Sequence, residues 1–235
     1  MVLRIALVSI KPGVGKTTSG LFICQSLHEL GMSPLLVDAD KGQSALEWME
    51  DAEGLDFPVI GQHITTLHRS LPDLEGDREA IVIDVPQLED HESIARGALL
   101  YADVWVFPIA PAGIEVRRTM RKLKTKLKGV KDERERFGLP RDPMVEVVLL
   151  NRTNRPYATK SGPDADVRQA LIDPELNMDV LDNQVMFHDD LYRQCYGLPI
   201  ETEGTTYPAV TKEILDRWRR YQDVKGMLTD SGETA

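Results

Sequence analysis

The runs Leu3–Val8, Pro34–Val37, Ala80–Val85, Val104–Ile109 and Val145–Leu150 are apolar nearly throughout, with no alternation of polar and apolar positions. A strand with one wet face shows that alternation, so strands that lack it are covered on both faces. Segments with helical spacing lie between them. Lys16–Leu30 sets Leu21, Cys24, Leu27 and Leu30 along one side and stops at Gly31. Gly113–Lys131 sets Val116, Met120, Leu123, Leu127 and Val130 in one stripe. Strand and helix in turn predict an α/β chain, a doubly wound and mostly parallel sheet flanked by helices on both faces. Further helices are expected over Ser44–Glu50, near His63–Ser70, near His91–Leu100, around Ala165–Leu171, near Asp189–Tyr196 and over about Ala209–Leu228. The last should turn Ile214, Leu215, Trp218, Tyr221 and Val224 inward. Minor strands are expected near Pro58–Ile60 and Met178–Leu181, and Asp132–Pro143 reads as a charged surface loop. The whole of residues 1–235 is expected to form a single domain with a frayed tail from about 229.

Sheets of this kind bind ligands beyond the carboxyl ends of their strands. The first strand runs straight into Ile10–Thr18, which reads I-K-P-G-V-G-K-T-T. Gly13, Val14, Gly15, Lys16, Thr17 and Thr18 make the core of a P-loop, where small residues let successive backbone N–H groups point inward at an anion. Lys16 can reach the β- and γ-phosphates of a nucleotide, the Thr17 hydroxyl can ligate Mg²⁺, and the helix that follows presents its positive end to the same phosphates. A standard loop has Gly where Ile10 stands; Lys11 adds a second cation instead. Asp38, Asp40 and Asp84 each lie just past an apolar strand, where a Mg²⁺-nucleotide site needs carboxylates. Asp84, in Ile81-Val82-Ile83-Asp84, reads as the Walker B aspartate. The acidic fourth residue of a guanine-reading N-K-x-D is absent from Asn151-Arg152-Thr153-Asn154, and an amide suits adenine; Asn151 can equally satisfy loop backbone.

The loop resembles the deviant P-loop, K-G-G-x-G-K-[ST]-T, of the ParA/MinD superfamily. Supporting matches are Asp38-Ala39-Asp40, Ser44, Ala45 and Trp48 downstream of it, Ala102–Pro108, and Tyr196-Gly197-Leu198-Pro199-Ile200. The resemblance implies an ATP-dependent homodimer in which Lys11 reaches across to the partner's phosphates, Asp38 helps organise the Mg²⁺ shell, and Asp40 positions the attacking water. Asp40 can alternatively cap the segment that follows it. In the family a residue at the Asn151 position contacts adenine, and the strand end carrying Pro108 and Pro111 borders nucleotide and dimer interface. Pro12 replaces a Gly of the family motif and holds the residue before it extended. Lys41 and Gly42-Gln43 also depart from the usual D-x-D-P-Q-G, which leaves the turnover rate open. Without an N-terminal helix-turn-helix, the chain looks like the short ParF-like partition ATPases, which bind DNA non-specifically and are stimulated by a centromere-binding partner.

The formal net charge of −10 argues against a general polyanion binder but leaves local basic faces open. One lies over 117–131, with Arg117, Arg118, Arg121, Lys122, Lys124, Lys126, Lys128 and Lys131; another lies over 217–225, with Arg217, Arg219, Arg220 and Lys225. Either can contact DNA phosphates, and either can be a solvated helix face. Cys24 and Cys195 are far apart, fit a reducing cytoplasm, and do not form the paired set of an iron–sulfur reductase. The histidines show no metal-ligand spacing, no run approaches a membrane span, and the immediate first strand leaves no room for a signal peptide. The expectation is a cytoplasmic Mg²⁺-dependent ATPase for DNA segregation, nucleoid-associated with ATP. A MinD-like positioning ATPase or an ATP-dependent small-molecule enzyme of the same fold is the alternative.

Overall fold

A computed structural model of the chain describes residues 1–111, 114–155, 160–188 and 196–230, and for residues 114–115 and 226–230 the helical path only. The expected helix near Asp189–Tyr196 (except Tyr196), the Cys195 thiol and the tail beyond 230 lie outside the described residues.

The elements are β1 (Leu3–Leu7), α1 (Lys16–Glu29), β2 (Pro34–Asp38), α2 (Ser44–Asp51), β3 (Val59–Gly61), α3 (Leu67–Glu75), β4 (Ala80–Asp84), α4 (Glu92–Tyr101), β5 (Val104–Ile109), α5 (Ile114–Arg136), β6 (Val145–Thr153), α6 (Pro163–Ile172), β7 (Val185–Met186) and α7 (Tyr207–Asp230). The strands form one seven-stranded sheet in the order β3-β2-β4-β1-β5-β6-β7, and every pairing is parallel. The non-alternating runs occupy its centre, and β2 and β4 are buried at every position. One face packs against α1, α2 and α7 through Leu21, Phe22, Trp48, Tyr207 and Ile214. The other packs against α3 to α6 through Leu67, Ile94, Met120, Leu127 and Leu171. The fold is therefore the α/β P-loop type that the pattern of runs predicts.

β4 returns to lie between β2 and β1, and the chain then crosses to β5 on the other side of β1. This reversal places the loops after β1, β2 and β4 side by side at the carboxyl edge of the sheet. In register, Asp84 stands opposite Leu7 on one neighbour and Asp38 on the other.

Several expectations need correction. α5 runs on to Arg136 through half of the expected surface loop, because the Arg134 side chain is drawn into the interior. Met178–Leu181 makes only an isolated bridge, Val148 to Val180, and the edge strand is Val185–Met186. α3 starts at Leu67, because His63 is held on the Ala39 carbonyl, 2.9 Å away, in the loop before it. The inner face of α7 ends at Trp218: Tyr221 is 40% and Val224 58% exposed, since the helix outruns the sheet beneath it.

Candidate nucleotide site

The loop between β1 and α1 has the backbone shape its sequence calls for. Gly13 at φ 69° and Gly15 at φ 86° are both left-handed, which curls the chain and frees N–H groups toward one point. Gly15 has a second reason to be glycine: a Cβ there would lie 3.0 Å from the Asn151 amide nitrogen. Ser9 Oγ donates to the Lys11 carbonyl at 2.8 Å and steadies the entry to the loop. Lys16 and Thr17 open α1, with Thr18 beside them, and Lys16 is buried. Lys11 and Pro12 stand exposed on the rim.

The Thr17 hydroxyl donates to Asp84 Oδ2 at 2.6 Å. Asp84 Oδ1 is buried without a partner. Burial pushes the Asp84 carboxyl up to about 7, against the pull of the Lys16 ammonium and the Thr17 bond. A buried carboxyl with one unengaged oxygen, next to a hydroxyl, is the donor set a hard divalent cation takes. Among the described residues no cluster of His, Cys, Asp and Glu could hold a metal alone. Mg²⁺ keeps few protein ligands and takes the rest from phosphate and water. The nest and this pair therefore fit a Mg²⁺-nucleotide.

Asp38 is also fully buried, and burial raises its carboxyl. Its oxygens accept N–H groups from Asp40 at 3.1 Å, Ala45 at 2.8 Å and Leu46 at 3.3 Å, so it also caps the start of α2. Asp40 is half-buried and accepts the Gly42 N–H at 3.1 Å, closing the turn before α2. Asn151 lies at the end of β6, buried against the loop: its Nδ2 donates to the Val14 carbonyl at 2.9 Å and to Ser19 Oγ at 3.1 Å. The amide thus braces the P-loop, and its unpartnered Oδ1 is what remains for another contact. Pro111 lies half-buried beyond β5.

Ser19 carries no motif signal, yet it links Asn151 to Tyr207, whose hydroxyl is 3.0 Å away. The Tyr196–Ile200 segment docks on α2: Trp48 Nε1 donates to the Leu198 carbonyl at 2.9 Å, and Tyr196 packs on the Trp48 ring. Gly197, at φ 74°, leaves no room for a Cβ, which would meet Asp51 Cβ at 2.9 Å.

The basic face of α5 is largely paired with acids. Arg117 meets Asp173 at 3.0 Å, Arg121 bonds Glu175, Lys122 meets Glu89 at 3.0 Å and Lys126 meets Glu92 at 2.7 Å. Lys131 sits between Asp142 and Glu146. Arg118 and Lys128 are exposed. On α7, Arg217 bonds Asp179 and Glu213. No helix among the described residues is long and apolar enough to cross a membrane.

A P-loop at the reversal of a parallel sheet, flanked by buried aspartates, defines a nucleotide-binding α/β protein. Residues 5–196 match the model of the CobQ/CobB/MinD/ParA nucleotide-binding domain, and the chain belongs to that family. No curated protein matches it by sequence. Among solved structures it is similar to cobyrinic acid a,c-diamide synthase from Mycobacterium smegmatis with bound ADP and magnesium, with TM-score 0.68, 17% identity, and coverage of 93% of this chain and 96% of the other. It is also similar to the cell division ATPase MinD of Pyrococcus furiosus, with TM-score 0.66, 19% identity, and coverage of 92% and 99%. A candidate plasmid partition protein of Borrelia burgdorferi B31 bound to AMPPNP gives TM-score 0.66, 17% identity, and coverage of 94% and 99%. At these identities the likeness speaks for the fold.

Proposed function

We propose that this chain is a ParA-like DNA-partition ATPase: it binds Mg²⁺-ATP, dimerises, holds DNA without sequence preference, and hydrolyses ATP when a centromere-bound partner stimulates it. The observation that carries the nucleotide reading is the Thr17–Asp84 bond at 2.6 Å beneath two left-handed glycines. Mg²⁺, when bound, supplies charge neutralisation at the β- and γ-phosphates. In this reading Thr17 and Asp84 hold the ion, with Asp38 organising its surroundings. The backbone of Gly13 to Thr18 and Lys16 cradle the phosphates. Asp40 orients the attacking water, and Asn151 and Pro111 border the base. Lys11 stands exposed on the rim, and this reading assigns it to the phosphates of a second subunit. Phosphoryl transfer to water asks mainly for positioning and electrostatics, and a cation supplied in trans is the largest part that an isolated subunit would lack. The segregation role and a nucleoid-associated cytoplasmic location belong to this reading through the resemblance of the P-loop and the Asp38-Ala39-Asp40 motif.

The acids set against α5 favour a second reading, an ATP-dependent small-molecule enzyme with no DNA partner. Co-sedimentation with DNA in ATP, in ADP and without nucleotide, at two salt concentrations, separates the two. Binding that requires ATP and fades with salt supports partition; indifference to DNA in all three states rejects it.

A further inference from the structure

The acids that neutralise α5 come from two different places. Asp173 and Glu175, which hold Arg117 and Arg121, follow α6. Glu89 and Glu92, which hold Lys122 and Lys126, sit in the loop after β4 and at the start of α4. That loop begins at Asp84, the carboxylate bonded to Thr17, and is tied to the P-loop entry by the Leu88 N–H on the Ser9 carbonyl at 3.0 Å. Ser9 in turn holds the Lys11 carbonyl. Lys11, Glu89, Arg117, Arg118 and Lys122 line one open cleft. The chain of contacts therefore runs from the phosphate cradle to the carboxylates that mask two lysines of the basic helix.

Exposed pairs of this sort are worth about 0–1 kcal/mol each, so a modest movement of the loop is enough to open them. A cation at Thr17 and Asp84 would draw on the unengaged Asp84 Oδ1, at the point from which the loop hangs. Among the described residues the Asp173 and Glu175 pairs show no such link to the loop.

We infer that Glu89 and Glu92 form a nucleotide-operated gate, which masks Lys122 and Lys126 in the free protein and releases them as phosphate contacts for DNA when the P-loop is filled. The inference rests on the DNA-partition reading for the destination of the lysines, but not for their release. Each cation handed to a phosphate steepens the dependence of log K on log salt by about 0.9, so opening the gate adds roughly 2 per subunit.

The test uses the full chain and the variant carrying Glu89→Gln and Glu92→Gln. Amine acylation of individual lysines, read by mass spectrometry without DNA, reports release directly; Lys131, held by Asp142 and Glu146 away from the loop, is the internal reference. Expected is a several-fold rise of Lys122 and Lys126 labelling in wild type with Mg²⁺-ATP, and high labelling in the variant with or without nucleotide. The variant should also bind DNA without ATP, with the steeper salt dependence. Labelling of wild type that ATP leaves unchanged overturns the gate, whether or not DNA is bound. Labelling that rises while neither protein binds DNA supports the gate and rejects the DNA reading instead.

Discussion

Asp38 and Asp84 are register partners on adjacent strands, so two fully buried carboxyl groups lie level at the edge that carries the P-loop. Burial raises both, and nearby negative charge adds to it, from Asp38 and Asp40 on Asp84 and from Asp40 on Asp38. The arrangement is costly without a cation and suited to one.

That cost has a pH dependence. With the Asp84 carboxyl raised from 3.8 to about 7, the folded chain keeps a proton that the unfolded chain releases. Stability from this group is full below the unfolded value and is lost as pH rises toward 7, by on the order of 4 kcal/mol. Asp84→Asn removes this slope. In the absence of metal and nucleotide, thermal midpoints between pH 5 and pH 7.5 should fall by roughly 5–10 °C more for wild type than for the variant. Parallel curves would show that Asp84 ionises freely in the fold.

The two loop lysines should separate binding from chemistry. Lys11→Ala should lower ATP hydrolysis by roughly 10³-fold, by analogy with cations supplied in trans, while a fluorescent ATP analogue still binds the single subunit. Lys16→Ala should lose the binding itself. Equal loss of binding in both variants would place Lys11 in its own subunit's cradle.

Asn151→Ala removes the brace on the Val14 carbonyl and leaves Ser19 Oγ with the Tyr207 hydroxyl as partner. The expected loss is about 1–2 kcal/mol in stability, with ATP and GTP affinities falling by similar factors. Titration with both nucleotides checks this; a fall confined to ATP would mean that the amide reads the base.

Arg134 donates to the carbonyls of Leu99, Leu100, Ala102 and Pro140 and lies against the Trp105 ring. Arg134→Met strips these acceptors of a donor and should cost about 3 kcal/mol by urea denaturation, with nucleotide affinity unchanged. Lysine should not restore it, because one ammonium cannot reproduce the planar fork.

Much of this protein could be read from local pattern. Continuous apolar runs require two covered faces, which makes the sheet parallel, and a glycine-rich turn straight after the first run puts the phosphate cradle at its carboxyl edge. Asp38 and Asp84 were visible for the same reason, as charges that end buried strands. Those inferences need only a few neighbouring residues each. The brace of Asn151 on Val14, the burial of Arg134, and the pairing of Lys122 and Lys126 with Glu89 and Glu92 join residues tens of positions or more apart. A run of lysines and arginines looks the same in the chain whether it faces water or a row of acids. Only packing of the helices on the sheet decides which carboxylates come within about 3 Å of them, because Coulomb attraction acts through space and not along the sequence.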